Sequence, residues 1–278
     1  MTLSQRNLLI KLAFAFVLLT TVFAFFVGVS LLSSKKNNLD LYTEITEPPQ
    51  MLFFNSALFN KNIYLFVVQN ILYPVYSLLI LMSIYFLFEK TYVIEISFFT
   101  FFALFLSLES FKLLTPFFNL WNFAPNLVLL LSRALYFFRF ISVLLLLVAA
   151  TFTVTPITRR ILPVLFAISF LAVAITFSTP FNTSNLMFNF LLQDGLNKLT
   201  KIAFWFFTLA TTITYLVVGK NLGTKEYTKA GWGIFALLSG YFFTLITASL
   251  FFFILSNTLF LVGCFFYSKA IHQYNLWQ

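Results

Sequence analysis

Most of the ionisable side chains that interrupt the apolar runs of this chain lie between Glu95 and Arg139, and their types suit ionic recognition better than bond-making. Glu95 and Glu109 are separated by four helical turns, yet at ~100° per residue they fall only about 40° apart on one face. Asn126, Ser132, Arg133, Tyr136 and Arg139 occupy a sector of about 140° on the next apolar run. Glu109 lies near the end of its run and Arg133 near the start of the following one, each roughly 8 to 9 Å below the same boundary. Equal depth predicts a Glu109–Arg133 ion pair across two antiparallel helices. Arg139 is deeper and has no acid at its own depth, so it is expected to meet a carbonyl, a tyrosine, a water-filled cavity or an anion.

Gln69 and Asn70 reach a comparable depth on the preceding run, with Tyr73, Pro74 and Tyr76 beneath them. Pro74 removes a backbone donor and favours a bend beside a cavity. The expected site is a pocket lined by Tyr73, Tyr76, Tyr136 and Arg139. It opens past Gln69, Asn70, Glu109 and Arg133, with the 51–59 segment near its mouth. Arginine matches carboxylate and phosphate geometry better than lysine does, so the ligand this set predicts is a small anionic or amphiphilic molecule. The competing reading is structural: Glu109 and Arg133 lock two helices, Lys112 snorkels outward and Arg139 bonds to backbone.

Several chemistries are excluded by inventory. One cysteine, Cys264, and one histidine, His272, leave no Cys/His zinc site, no bis-histidine haem and no Ser-His-Asp arrangement within the membrane. The expectation is a non-enzymatic protein without cofactor or metal. The Gly219–Gly223 loop lacks phosphate-loop spacing. Thr208, Thr211, Thr212 and Tyr215 share a face, and Ala236, Gly240, Thr244 and Ala248 recur every four residues; both patterns read as helix packing.

The elements that must position these residues are membrane helices. Of the 278 residues, 61% are hydrophobic and 9% charged, too few charges for an ordinary soluble domain. Since ~20 apolar residues in a helix cross a ~30 Å hydrocarbon core, the chain reads as an all-α, polytopic bundle forming a single transmembrane domain over 1–278. About eight spans are expected, near 12–32, 63–88, 91–114, 126–152, 161–179, 202–218, 231–249 and 252–269. The last two share an uncharged stretch from Ala230 to Ser268 that turns at Thr247-Ala248-Ser249 or at Ser256-Asn257-Thr258. Seven spans is the alternative, with that stretch as one tilted helix.

The net charge of +9 sits mostly at the ends of apolar runs, which points to anionic lipid and not to nucleic acid. With the amino terminus inside, nine Lys/Arg fall on the cytoplasmic side and six outside, so both termini are expected in the cytoplasm. The hydropathy pattern resembles that of multi-span sensory input modules of bacterial membrane proteins, which implies a bacterial inner membrane and assigns no residue a role. The function expected from these features is sensing, ligand binding or complex assembly with membrane-protein partners. A small secondary transporter or channel is the alternative.

Overall fold

The computed structural model describes residues 3–33, 63–88, 93–118, 120, 124–154, 161–187, 189–246 and 249–276. It is nearly all helical. In chain order the elements are α1 (Leu3–Ser33), α2 (Ile63–Phe88), α3 (Ile94–Ser107), a 3-10 segment (Leu108–Leu113), α4 (Leu114–Phe117), α5 (Pro125–Val154) and α6 (Ile161–Ser178). A hairpin of β1 (Phe181–Leu186) and β2 (Leu192–Asp194) follows, and then α7 (Asn197–Asn221), α8 (Lys225–Ile246) and α9 (Leu250–Leu276). Among the described residues, six helices are long and apolar enough to cross a membrane, and α6 is a shorter apolar one. The chain is therefore an integral membrane protein. The 51–59 segment lies outside the described residues.

The double-length apolar run divides where α8 ends at Ile246 and α9 begins at Leu250, so it is two helices and not one. These two pack at very short range because glycine supplies the contact surface. A Cβ placed on Gly240 would stand 2.5 Å from the Phe260 amide nitrogen, and one on Gly233 would stand 2.8 Å from that of Tyr267. Small residues let backbones approach where lipid provides no hydrophobic drive to associate. The outside of the bundle is apolar: Leu19, Phe26, Phe86, Phe166, Phe170 and Phe206 are all well exposed. Such surface suits hydrocarbon as a solvent.

Neighbouring contacts fix the helix directions. Arg6 Nη2 at the start of α1 donates to the Phe88 carbonyl at the end of α2 at 2.5 Å, and the Phe88 ring meets the His272 ring of α9 edge-on at 5.4 Å. The first and last helices thus end on one residue at the same end of the bundle. At the opposite end the hairpin folds in over α5. The Leu192 amide donates to Ser132 Oγ at 3.1 Å, and Phe190, Leu191 and Leu192 are fully buried. Phe190 holds a positive φ of 61° and rests edge-on against Phe66 at 5.3 Å. Strands there depart from the all-helical expectation. The residues between Pro180 and Gly195 close on themselves through the Gly195 amide and Pro180 carbonyl at 2.7 Å, and their apolar tip is buried in the bundle.

Candidate functional site

Glu109 is the hub of the buried polar contacts. Arg139 grips its carboxylate in two-pronged fashion, Nε to Oε1 at 2.7 Å and Nη2 to Oε2 at 3.1 Å. Tyr241 of α8 donates to Oε1 at 3.0 Å, and the Lys112 ammonium forms an ion pair with Oε2. All of Glu109, Lys112, Arg139 and Tyr241 are buried.

The expected Glu109–Arg133 pair is not formed; Arg139 takes that carboxylate. Two features of the backbone account for this. Helical Cα–Cβ bonds tilt toward the N-terminus, so on the antiparallel α3 and α5 the acid leans one way and the arginine the other, and the two converge across their difference in depth. The turn carrying Glu109 is also a 3-10 helix and not an α-helix. At ~3.0 residues per turn, positions i and i+3 stand in line, which places Lys112 directly beside Glu109. Lys112 is fully buried and does not snorkel. Its ammonium also lies 5.1 Å from the Tyr73 ring centre and 5.7 Å from that of Phe66, positions that favour cation–π attraction.

Tyr136 extends the cluster. Its ring lies 5.1 Å from the Arg139 guanidinium carbon and meets the Phe181 ring of the hairpin edge-on, and the Asp194 side chain of the same hairpin lies close enough to act on it electrostatically. Asp194 is 2% exposed and also accepts from Thr200 Oγ1 at 2.5 Å. Counting it, the buried cluster holds two acids, Glu109 and Asp194, and two bases, Lys112 and Arg139. Its formal charge is balanced, which is what a low-dielectric interior favours.

The remaining predicted residues separate into two other places. Gln69 and Tyr76 converge on Asn257 of α9: Asn257 Nδ2 donates to Gln69 Oε1 at 2.8 Å, and the Tyr76 hydroxyl donates to Asn257 Oδ1 at 2.9 Å. Asn70 is buried and its amide donates to the Phe66 carbonyl of its own helix at 2.8 Å. Arg133 faces the other way, into a groove of about 590 Å³ between α5 and α6. Its guanidinium carbon lies 5.6 Å from the Phe177 ring centre, and its buried Nε has no hydrogen-bond partner.

The eight residues therefore do not line one pocket. Tyr73, Glu109, Tyr136 and Arg139 come together; Gln69 and Tyr76 join α2 to α9; Arg133 stands apart. Asp194, Tyr241 and Asn257 were not anticipated. Tyr241 and Asn257 take their meaning from partners more than 100 positions away, Glu109 for the one and Gln69 and Tyr76 for the other. The hydroxyls of Thr208, Thr211 and Thr212 bond to carbonyls of their own helix, in keeping with a packing face.

A third buried acid, Glu95, lies at the start of α3. Glu95 accepts from the Tyr227 hydroxyl at 3.3 Å, and nearby the Tyr215 and Tyr267 hydroxyls bond to each other at 2.9 Å. Among the described residues no group of three or more His, Cys, Asp or Glu side chains could hold a metal ion. No family model, curated protein or solved structure matches this chain.

Proposed function

We propose that this protein is a non-enzymatic, multi-pass membrane module that binds an amphiphile through its anionic head group, with Arg133 as the recognising cation. One observation carries the reading. The Glu109 cluster is balanced within itself, whereas Arg133, some 12 Å along α5 from Pro125 at the helical rise, has no ion-pair partner among the described residues and a buried nitrogen without an acceptor. Arginine inside a membrane costs at least ~2.5 kcal/mol on insertion scales unless something polar meets it. Leu129, Leu130, Phe137, Val173 and Phe177 make the walls of its groove apolar, and Asn126 adds an amide at the rim. A carboxylate or phosphate on an aliphatic tail complements both features.

The rest of the assembly supports a response to occupancy. Ser132, one residue from Arg133, holds the hairpin, and Tyr136 links the hairpin to Arg139. Output would then pass to partner membrane proteins. Eight crossings with both termini cytoplasmic agree with the joint attachment of α1 and α9 to Phe88, and the gathering of Arg6, Lys11, Lys220, Lys225, Lys229 and Lys269 at that end supports an inward orientation. A bacterial inner membrane remains the proposed location.

The test is thermal stability in an uncharged detergent with oleate, dodecyl phosphate or dodecanol added. The charged amphiphiles should raise the melting temperature of the parent protein and dodecanol should not. Arg133→Gln should abolish the shift and Arg133→Lys retain part of it. Equal shifts in the parent and Arg133→Gln would overturn the proposal.

Transport is the second reading, favoured by one observation: polar contacts recur at both ends of α3, at Glu109 and at Glu95. Reconstituted vesicles that take up a labelled anion only when the protein is present would support it.

A further inference from the structure

α2 and α9 run parallel and touch at two levels. At one, Tyr76 and Asn257 are hydrogen-bonded and the Tyr76 and Phe260 rings lie 5.5 Å apart; at the other, the Phe88 ring meets His272. Between these levels the helices leave a groove of about 700 Å³ that faces outward, its sides formed by Leu79, Leu87, Leu261 and Phe265. From Tyr76 to Leu87 it runs ~16 Å at the helical rise, about half of a ~30 Å hydrocarbon core. Its length is that of one leaflet.

The groove is chemically graded. Its deep end is aromatic, and its end near the last turns of α9 carries Ser268, Lys269, His272 and Gln273. Lys269 has no ion-pair partner among the described residues and leans over Phe265, 5.5 Å from the ring centre. The buried His272 Nδ1 has no hydrogen-bond partner. Among the described residues, no acid lines the groove.

We infer that this groove holds one anionic phospholipid of the leaflet at the Phe88 end of the bundle, an acyl chain lying between α2 and α9 and the phosphate meeting Lys269 and His272. The graded lining and the single-leaflet length fit a lipid better than a partner helix, which would continue across the bilayer. The site is independent of Arg133, which opens between α5 and α6.

Native mass spectrometry of the full chain, released from nanodiscs containing equal dioleoyl phosphatidylglycerol and dioleoyl phosphatidylcholine, tests it. The parent protein should retain one phosphatidylglycerol in preference to phosphatidylcholine. Lys269→Gln should cut that preference about fivefold, since one interfacial cation is worth ~1 kcal/mol toward anionic lipid. Leu261→Trp leaves the charges intact and fills the groove from an exposed position, so it should lower retention of both lipids. Equal retention of the two lipids by the parent would overturn the inference. So would an undiminished phosphatidylglycerol adduct in Leu261→Trp, or a dimer of the chain that Leu261→Trp dissolves, which would make a second copy the occupant.

Discussion

Arg139 and Tyr241 meet on a single atom: both donate to Glu109 Oε1, the guanidinium at 2.7 Å and the phenol at 3.0 Å. The same carboxylate's other oxygen receives the second arm of Arg139 and the Lys112 ammonium. One acid thereby joins the 3-10 turn to α5 and α8. Removing it strands two buried cations at once.

Glu109→Ala and Arg139→Ala are each expected to destabilise the protein by about 3 to 5 kcal/mol, the usual range for breaking a buried pair. The double variant should recover part of the loss, because Arg139 is then no longer stranded, and only part, because Lys112 still lacks its acid. Unfolding in mixed micelles measures all three, and strictly additive effects would show the two residues to be uncoupled.

Tyr241→Phe deletes one donor and leaves the Arg139 clamp in place. A loss of about 1.5 to 3 kcal/mol is expected, as for a hydrogen bond to a charged group, well below that of Glu109→Ala. If the two substitutions cost the same, Tyr241 is more central than its geometry implies.

Asn257→Leu should be more harmful than its position in an apolar stretch of α9 suggests. It strips Gln69 Oε1 of a donor and the Tyr76 hydroxyl of an acceptor, and each stranded buried group costs about 1 to 3 kcal/mol. The companion variant Gln69→Leu in the same background should then cost little. Thermal unfolding of the single and double variants decides this.

Gly240→Ile should separate α8 from α9, since even a Cβ would press on the Phe260 backbone at 2.5 Å. Overpacking of this kind costs about 1 to 3 kcal/mol or more. A disulfide-free crosslinking or fluorescence distance between the two helices should lengthen. Unchanged stability would show that the helices can slide apart without loss.

The helices were readable in the sequence because hydrocarbon thickness demands long uncharged runs; Ile63–Phe88 coincides with its expected span. The buried status of Glu109 and Arg139 was readable for the same reason, since charge inside an apolar run has few places to go. Their pairing was not. Residue spacing places each side chain level with its own Cα, whereas Arg139 reaches toward the start of α5 and Glu109 back toward α3. Lys112 was misplaced because a 3-10 turn changes which residues stand in line, and nothing in Leu108–Leu113 announces that change. The hairpin escaped because its strands are short and its apolar tip, Phe190–Leu192, resembles the adjoining membrane runs.

The two acid–tyrosine contacts of α3 and α8 share one spacing. Glu95 with Tyr227 and Glu109 with Tyr241 are both 132 positions apart, so the two segments run parallel and the contacts repeat after 14 residues on each. Sliding α8 by a single turn, ~5.4 Å, would break both contacts together. Axial shear between these helices is therefore opposed at two levels of the bundle, while a rocking motion about either contact need break only the other. Any conformational change in this protein should accordingly be sought as a tilt of α8 against α3.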